Sequence, residues 1–475
     1  MTMTIDRAKK TKRSTHWRTA IVPARLAPAD RRRAHETAHV YAEIWNNAVA
    51  WVRETRVDGF NPGVYEIKKY VLTLSSEERP VHTHTAQEVA FDLADAIKTY
   101  RENRNQGMKV KAPWRHKNYR PLPFTRGYGW KLTKDGRGIT LSFGKGRAPI
   151  ALPLPVVTDP ATGHQVEPSL WGEIKLCWDR DARQWSLHIA VPTAAPPALD
   201  PERVTAIDEG IINPMALATR QNDGSIDVTI INGREARAIK RRRNKAVGAI
   251  TARLSKAEAG SRRTKHLTNR KKKVKAKARA QLRDFDHQVS AKAATHIRAH
   301  DTGKVVIGDV RGIEKNTITK RRHNKSSRQQ LSQWGRGRQE EYLGHKTGAK
   351  LTHINESHSS QTCPACLTRN RPSGRRYRCS CGFTCHRDAV GAINILMRAI
   401  HGNYTRIDPD TIIRVTYLRA VPRWSPDQSA KHSARSRAEN PATDSHQAAS
   451  VTGVPRCPQA TITPQGSADQ QVAAA

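Results

Sequence analysis

Five of the chain's seven cysteines fall between Cys363 and Cys385, and the next acidic residue, Asp388, opens an apolar run from Ala389 to Ala399. Cys363-Pro-Ala-Cys366 followed by Cys379-Ser-Cys381 has the spacing of a zinc ribbon, in which four thiolates surround one structural Zn²⁺ as a tetrahedron. The second pair is tighter than the common two-residue gap, so Cys385 stands as an alternative ligand. Reduced, unmetallated thiols are the plainer reading, and two close pairs at this spacing weigh against it. A metal knuckle that runs straight into Asp388 sets a structural site beside a candidate catalytic carboxylate.

A second carboxylate of that kind is Asp208, in Ala206-Ile207-Asp208-Glu209-Gly210, where a charge ends an apolar strand before a glycine. Nucleases that use two metal ions need two or three carboxylates converging on Mg²⁺ ions roughly 4 Å apart, one ion activating water and the other stabilising the leaving oxygen. Alone, Asp208 reads as a strand-end turn residue and Asp388 as a helix N-cap. What raises them above that is the order of the elements around them.

Val204–Asp208, Met215–Ala218 and Val228–Ile231 read as three short strands in quick succession. A long basic helical region, a strand at 305–310, a helix near 328–348, a strand at 350–355, the cysteine cluster and a closing helix follow. That sequence of elements predicts an RNase H-like α/β domain with an inserted zinc ribbon. Upstream, Ala20–Pro23 reads as a strand. From Pro28 a helix is expected, because Tyr41, Trp45, Ala48 and Val52 recur at helical spacing. A second helix is expected over 85–103. Period-two segments at 139–143, 174–176 and 187–191 then predict an antiparallel β-barrel or sandwich into which the helices are inserted. Trp45, Trp51, Trp114 and Trp130 have the chemistry to stack on bases, but helical spacing favours core positions.

The chain carries 83 Lys and Arg against 42 Asp and Glu, a net charge of +41, and the excess is clustered. Residues 237–279 contain eighteen basic residues and one acid, Glu258, with runs at Lys240-Arg241-Arg242-Arg243 and Arg270-Lys271-Lys272-Lys273. Val247, Ile250 and Leu254 on one side, and Leu282, Phe285, Val289, Ala293 and Ile297 on the other, predict an amphipathic helical hairpin whose charged face tracks phosphates. The loop 320–325 is a second basic patch. No apolar run reaches the eighteen or so residues of a membrane span, and no signal core opens the chain. A cytoplasmic, nucleoid-associated prokaryotic protein is therefore expected, with cysteine usage that fits a reducing compartment.

Residues 203–400 resemble the RuvC nuclease domain of the TnpB family, the transposon-encoded ancestors of type V CRISPR effectors. The matching pieces are AIDEGIINPMALAT, VVIGDVRGI, INESHSSQTCPAC and CSCGFTCHRDAVGAINIL. The N-terminal half is similar to that family's wedge and recognition domains in architecture, and in fragments such as Ile44-Trp45-Asn46-Asn47. The resemblance implies a wedge-like β-barrel over 16–27 and 104–195, a helical recognition insertion over 28–103, a RuvC-like domain over 203–400 and a zinc ribbon over 357–386 within it. Basic residues 1–15 and the Ser-, Ala-, Pro- and Gln-rich stretch 422–475 are expected to be disordered.

The family's first and third acids fall on Asp208 and Asp388. Its second, a glutamate ending the 305–310 strand, falls on Gly308. Asp309 is adjacent, but neighbouring strand residues face opposite sides. Glu356, at the end of the following strand, is the favoured replacement. The resemblance thus implies an RNA-guided DNA endonuclease with Asp208, Glu356 and Asp388 on two Mg²⁺ ions, structural Zn²⁺, a guide RNA, and target duplex DNA read beside a short motif. The missing glutamate leaves a nuclease-dead, RNA-guided repressor as the alternative, and a strand-transferring transposase as a more distant one.

Overall fold

The computed structural model describes residues 16–74, 81–107, 110–144, 146–159, 163–311, 330–331 and 334–421. The expected disordered ends, 1–15 and 422–475, and the basic loop 320–325 lie outside these residues. The chain divides into two compact units, Met1–Ala195 and Pro196–Ala475.

In the first unit, strand β1 (His16–Ala24) leads into helix α1 (Pro28–Val57), which begins where Pro28 presets the first turn. Tyr41, Trp45, Ala48 and Val52 form its buried stripe, as their spacing requires. Two more helices follow, α2 (Val64–Thr73) and α3 (Thr83–Asn105). The first of these is absent from the sequence expectation, because ten residues offer too few turns to establish a period. Beyond them come β2 (Leu122–Phe124), β3 (Trp130–Leu132), β4 (Gly138–Leu141), β5 (Ile150–Pro153), β6 (Ile174–Asp179) and β7 (Gln184–Thr193).

These strands make two antiparallel sheets, β1-β7-β6-β2 and β3-β4-β5, and no closed barrel forms among the described residues. Closure needs a continuous ladder, and β2 and β3 are only three residues long, while Pro123 and Pro153 lack the N–H that would extend it. Trp45 and Trp130 are buried, and Trp51 stacks on Tyr70 with 4.7 Å between centroids. These tryptophans serve the core.

The second unit is built on one mixed sheet. Strands β8 (Asp200–Glu209), β9 (Met215–Arg220) and β10 (Ile226–Asn232) form an antiparallel meander. Helices α4 (Arg234–Leu254) and α5 (Arg262–Ala299) lead to β11 (Thr302–Gly308), which lies parallel to β8. Helix α6 (Arg336–Thr347) precedes β12 (Lys350–Ile354), parallel to β11. A small hairpin, β13 (Arg376–Arg378) and β14 (Thr384–His386), then opens directly into helix α7 (Arg387–His401). Last comes β15 (Ile413–Arg419), parallel to β10, which the sequence reading did not foresee. The sheet order is β12-β11-β8-β9-β10-β15.

Strand alternation sorts the two faces. Ala206, Ala216, Ala218, Ile230 and Val306 pack with α7, while Ile207, Leu217, Ile231, Val305 and Ile307 pack with α5 and α6. Helix α7 is buried from Asp388 to Met397, so it presses onto the first face along nearly its whole length. No described helix is long and apolar enough to cross a membrane.

Candidate active site and zinc module

Asp208 shares the parity of Ala206, so it faces α7. The helix meets it at Gly391, where a Cβ would come within 2.6 Å of the Asp208 Oδ2. Only glycine lets the helix backbone approach that closely. Gly308 ends β11 on the same face. A Cβ there would collide with Glu356 Oε2, and would lie 2.8 Å from Ile395 Cδ1 and 3.0 Å from Glu356 Cβ. The Glu356 side chain therefore occupies the space that a side chain at 308 would fill. It reaches that space from two residues beyond β12, the strand next to β11.

Asp388 is the second residue of α7, where the partial positive charge of a helix N-terminus favours an acid. Its carboxylate accepts hydrogen bonds from Asn213 Nδ2 at 2.7 Å and from Arg375 Nη1 at 2.9 and 2.8 Å. Asn213 lies in the β8–β9 turn and Arg375 just before β13. The sequence reading named neither. The Asn213 contact bridges 175 residues and the Arg375 contact 13, and only the AIDEGIINP motif that contains Asn213 hinted at a role for it.

The electrostatics tie the acids together. Burial, then the charges of Glu356 and Asp388, push the Asp208 carboxyl well above its ordinary range. Burial, and then Asp309, push Glu356 up to about 7. Glu356 Oε2 is buried without a hydrogen-bond partner among the described residues. A buried, unpartnered carboxylate oxygen facing a second acid is the surrounding that a hard cation relieves.

Asp309 lies just past the end of β11. It accepts from Arg311 Nε at 2.9 Å and Nη2 at 2.7 Å, and these bonds hold its carboxyl down at about 2. Across the same sheet, Glu209 is buried with Arg336 at 3.9 Å, and Glu340 accepts from Arg336 at 2.7 Å.

The cysteines converge as well. The Sγ atoms of Cys363, Cys366, Cys379 and Cys381 all lie within 4.8 Å of one another, with Cys363 and Cys381 at 3.7 Å and Cys366 and Cys379 at 3.5 Å. Zn–S bonds of about 2.3 Å place tetrahedral sulfurs about 3.8 Å apart, so this donor set fits zinc. Burial raises the Cys379 thiol, but the Cys381 backbone N–H and the Asn370 amide outweigh it and bring the group down to about 6. Cys385 is outside the group; it pairs with Tyr377 across the β13–β14 hairpin and joins the apolar core.

On the helical hairpin, Arg241, Arg242, Arg270 and Lys273 are exposed, and Lys271 and Lys272 partly so. Arg243 is occupied by the Asn244 side chain at 2.8 Å. Lys240 is half-buried beside Asp286, and burial lowers its ammonium pKa.

A family described as Cas12f1-like, TNB domain matches residues 337–395. No curated protein matches the chain. Among solved structures, the chain is similar to the protein of the "Cas12f1-sgRNA-target DNA complex", at 13% identity over 76% of this chain and 81% of that one, with a TM-score of 0.51. It is also similar to that of a "CRISPR-Cas12f Ternary Complex", at 13% identity over 77% and 81%, with a TM-score of 0.33. At these identities the first likeness concerns the fold alone, and the second is too loose to add to it. The resemblance to TnpB-type proteins and their type V relatives, read from the motifs, stands with these matches.

Proposed function

We propose that this chain is an RNA-guided DNA endonuclease of TnpB type, with Asp208, Glu356 and Asp388 as its metal-binding acids. The observation that carries the reading is Glu356. Its carboxylate fills the space above Gly308, on the face of the sheet that Asp208 shares. A chain that had lost its second acid for good would have no need of an unpartnered carboxylate buried there. The sheet order and the antiparallel meander extended by parallel strands agree with an RNase H-like core.

Bound Mg²⁺ would rest on Asp208, Glu356 and Asp388, and would supply an activated water and charge neutralisation at the leaving oxygen. The chain's own residues prepare that site. Gly391 and Gly308 admit two carboxylates to one small space. Asn213 fixes the orientation of Asp388, and Arg375 offsets its charge. The four cysteines would hold Zn²⁺ as a structural ion, which would brace the β13–β14 hairpin from which α7 starts. Guide RNA would bind the exposed arginines and lysines of α4 and α5, and the first unit, in wedge and recognition roles, would read a short duplex motif.

The test is to purify the protein from cells, sequence the co-purifying RNA, and supply a duplex that matches it. Cutting is expected only with the RNA, the matching duplex and Mg²⁺ together. Guided binding with no cleavage, under varied Mg²⁺ and Mn²⁺, would overturn the nuclease reading and leave a repressor.

A further inference from the structure

Gly308 and Glu356 share one space but are held differently. Gly308 is fixed by the sheet, where it pairs with Ile354 as the last rung between β11 and β12. Glu356 lies two residues past that rung, so no strand ladder sets its backbone. It opens a tight turn instead, in which the Ser359 N–H donates to the Glu356 carbonyl at 2.9 Å. Within that turn His358 has φ +67°, in the left-handed region. A residue with a side chain is strained there, and it stays only where its surroundings over-determine the backbone.

Those surroundings come from α7 and the segment just after it. Asn394 is fully buried on α7 between Ile393 and Ile395, where an unpaired amide would be destabilising. Its Nδ2 donates to the Ser359 carbonyl at 2.6 Å and to the Thr362 carbonyl at 2.7 Å. Its Oδ1 has no partner among the described residues. Both donors are used and the acceptor is idle, so what this position takes from an amide is its NH₂ group. On the other side of His358, the Tyr404 hydroxyl donates to the Ser357 carbonyl at 2.7 Å. The carbonyls flanking the strained residue are thus both held. Asp388, Gly391 and Asn394 recur at intervals of three along α7. One helix therefore carries one acid, admits the second at Gly391 and grips the loop of the third.

We infer that Asn394 is the positioning residue for Glu356: its two hydrogen bonds fix the turn that Glu356 opens and so aim the carboxylate at the space above Gly308. The inference rests on the reading of Glu356 as a metal-binding acid. Groups that orient a metal ligand in this way are worth about ten- to a hundredfold in metal affinity.

The test follows Mn²⁺ binding to the full chain with its RNA, by electron paramagnetic resonance, in a double-mutant cycle. Asn394→Ala should weaken Mn²⁺ binding about tenfold or more, with zinc content and guided DNA binding unchanged. In the Glu356→Ala background the same substitution should weaken it no further, because the carboxylate that it aims is gone. A residue that merely supported the fold would cost the same in both backgrounds. Equal losses would therefore overturn the inference, as would unchanged Mn²⁺ affinity in Asn394→Ala. Tyr404→Phe removes only the hydroxyl on the far side of His358. It should give a smaller loss, about threefold, with the same dependence on Glu356, and it carries the test if Asn394→Ala lowers the zinc content. Mn²⁺ affinity that Glu356→Ala leaves untouched would sink the reading of Glu356 itself. A protein that shows the coupling yet never cuts would fail the nuclease reading and keep the positioning role of Asn394.

Discussion

The zinc module and the acidic site are neighbours in sequence and differ in how their donors are assembled. Four sulfurs close to within 4.8 Å of one another, whereas no carboxylate group among the described residues is gathered so tightly. Thiols can share hydrogen bonds, but buried carboxylates repel, and at Asp208 the charges of Glu356 and Asp388 add to burial in raising the carboxyl. The difference matches the two tasks proposed for them: a structural ion wants a closed shell, while a catalytic one must leave positions open for substrate and water. Breaking either site should therefore have different consequences.

The largest effects belong to the acidic site. Asp208→Ala, Glu356→Ala and Asp388→Ala should each reduce cleavage to background while RNA-guided DNA binding persists, as read by gel shift beside a nicking assay. Asp309→Ala should keep most of the cutting, since Asp309 is already engaged by two hydrogen bonds from Arg311. If Asp309 proved essential and Glu356 dispensable, the replacement of the missing glutamate would have been assigned to the wrong strand. A sharper form of the test moves the carboxylate back. Gly308→Glu combined with Glu356→Ala should restore part of the activity that Glu356→Ala loses, because both side chains claim one space.

Cys363→Ser acts at one remove. It should lower zinc from about one ion per chain, measured by metal analysis, and it should loosen the hairpin beneath α7. A loss of about 4 kcal/mol would lower Tm by about 10 °C in a unit of this size. Cys385→Ser should leave the zinc content unchanged, because Cys385 is a core residue outside the cluster. Folded wild-type protein without zinc would refute the assignment.

The sequence made the donors legible and hid what surrounds them. Asp208, Asp388 and four cysteines stand in motifs whose spacing carries the chemistry. Strand parity put Asp309 on the face opposite Gly308, but alternation is a local property and β11 ends at Gly308. Asn213 was not legible as a partner of Asp388, because the contact bridges 175 residues, and Arg375 was not, because it precedes β13 in a stretch with no period to place it. Strand β15 carries a period-two signal, Ile413 and Val415 inward with Arg414 and Thr416 between them, but it is short and lies beyond the motifs, and its pairing to β10 spans almost two hundred positions. The N-terminal barrel was expected from alternation, but alternation cannot say whether a sheet closes.

A smaller effect follows from Glu356. Its ordinary carboxyl value is 4.5, and in the folded protein it is pushed up to about 7. Between those values the folded state holds a proton that the unfolded chain has released. Raising the pH through that window strips it, so without Mg²⁺ wild-type stability should fall by up to about 3 kcal/mol from this group. Glu356→Gln should flatten that fall in thermal melts recorded from pH 4.5 to 7.5. With limiting Mg²⁺, cleavage should rise over pH 6 to 8, because the cation must displace the same proton. A pH-independent rate would detach Glu356 from the metal.

The smallest expected effect separates neighbours on α4. Each phosphate neutralised on a single strand contributes about 0.7 to the slope of log K against log salt. Arg241 and Arg242 are exposed on the face of the hairpin, whereas Lys240 is half-buried beside Asp286. Arg241→Gln with Arg242→Gln should therefore lower the slope for guide RNA by about 1.4, and Lys240→Gln should leave it unchanged. Filter binding across a salt series measures both. Equal losses at all three positions would mean that RNA binding draws Lys240 out of its pocket. An unchanged slope in the arginine pair would move the RNA off α4 altogether, and would leave Arg270 and Lys273 of α5 as the exposed cations to test next.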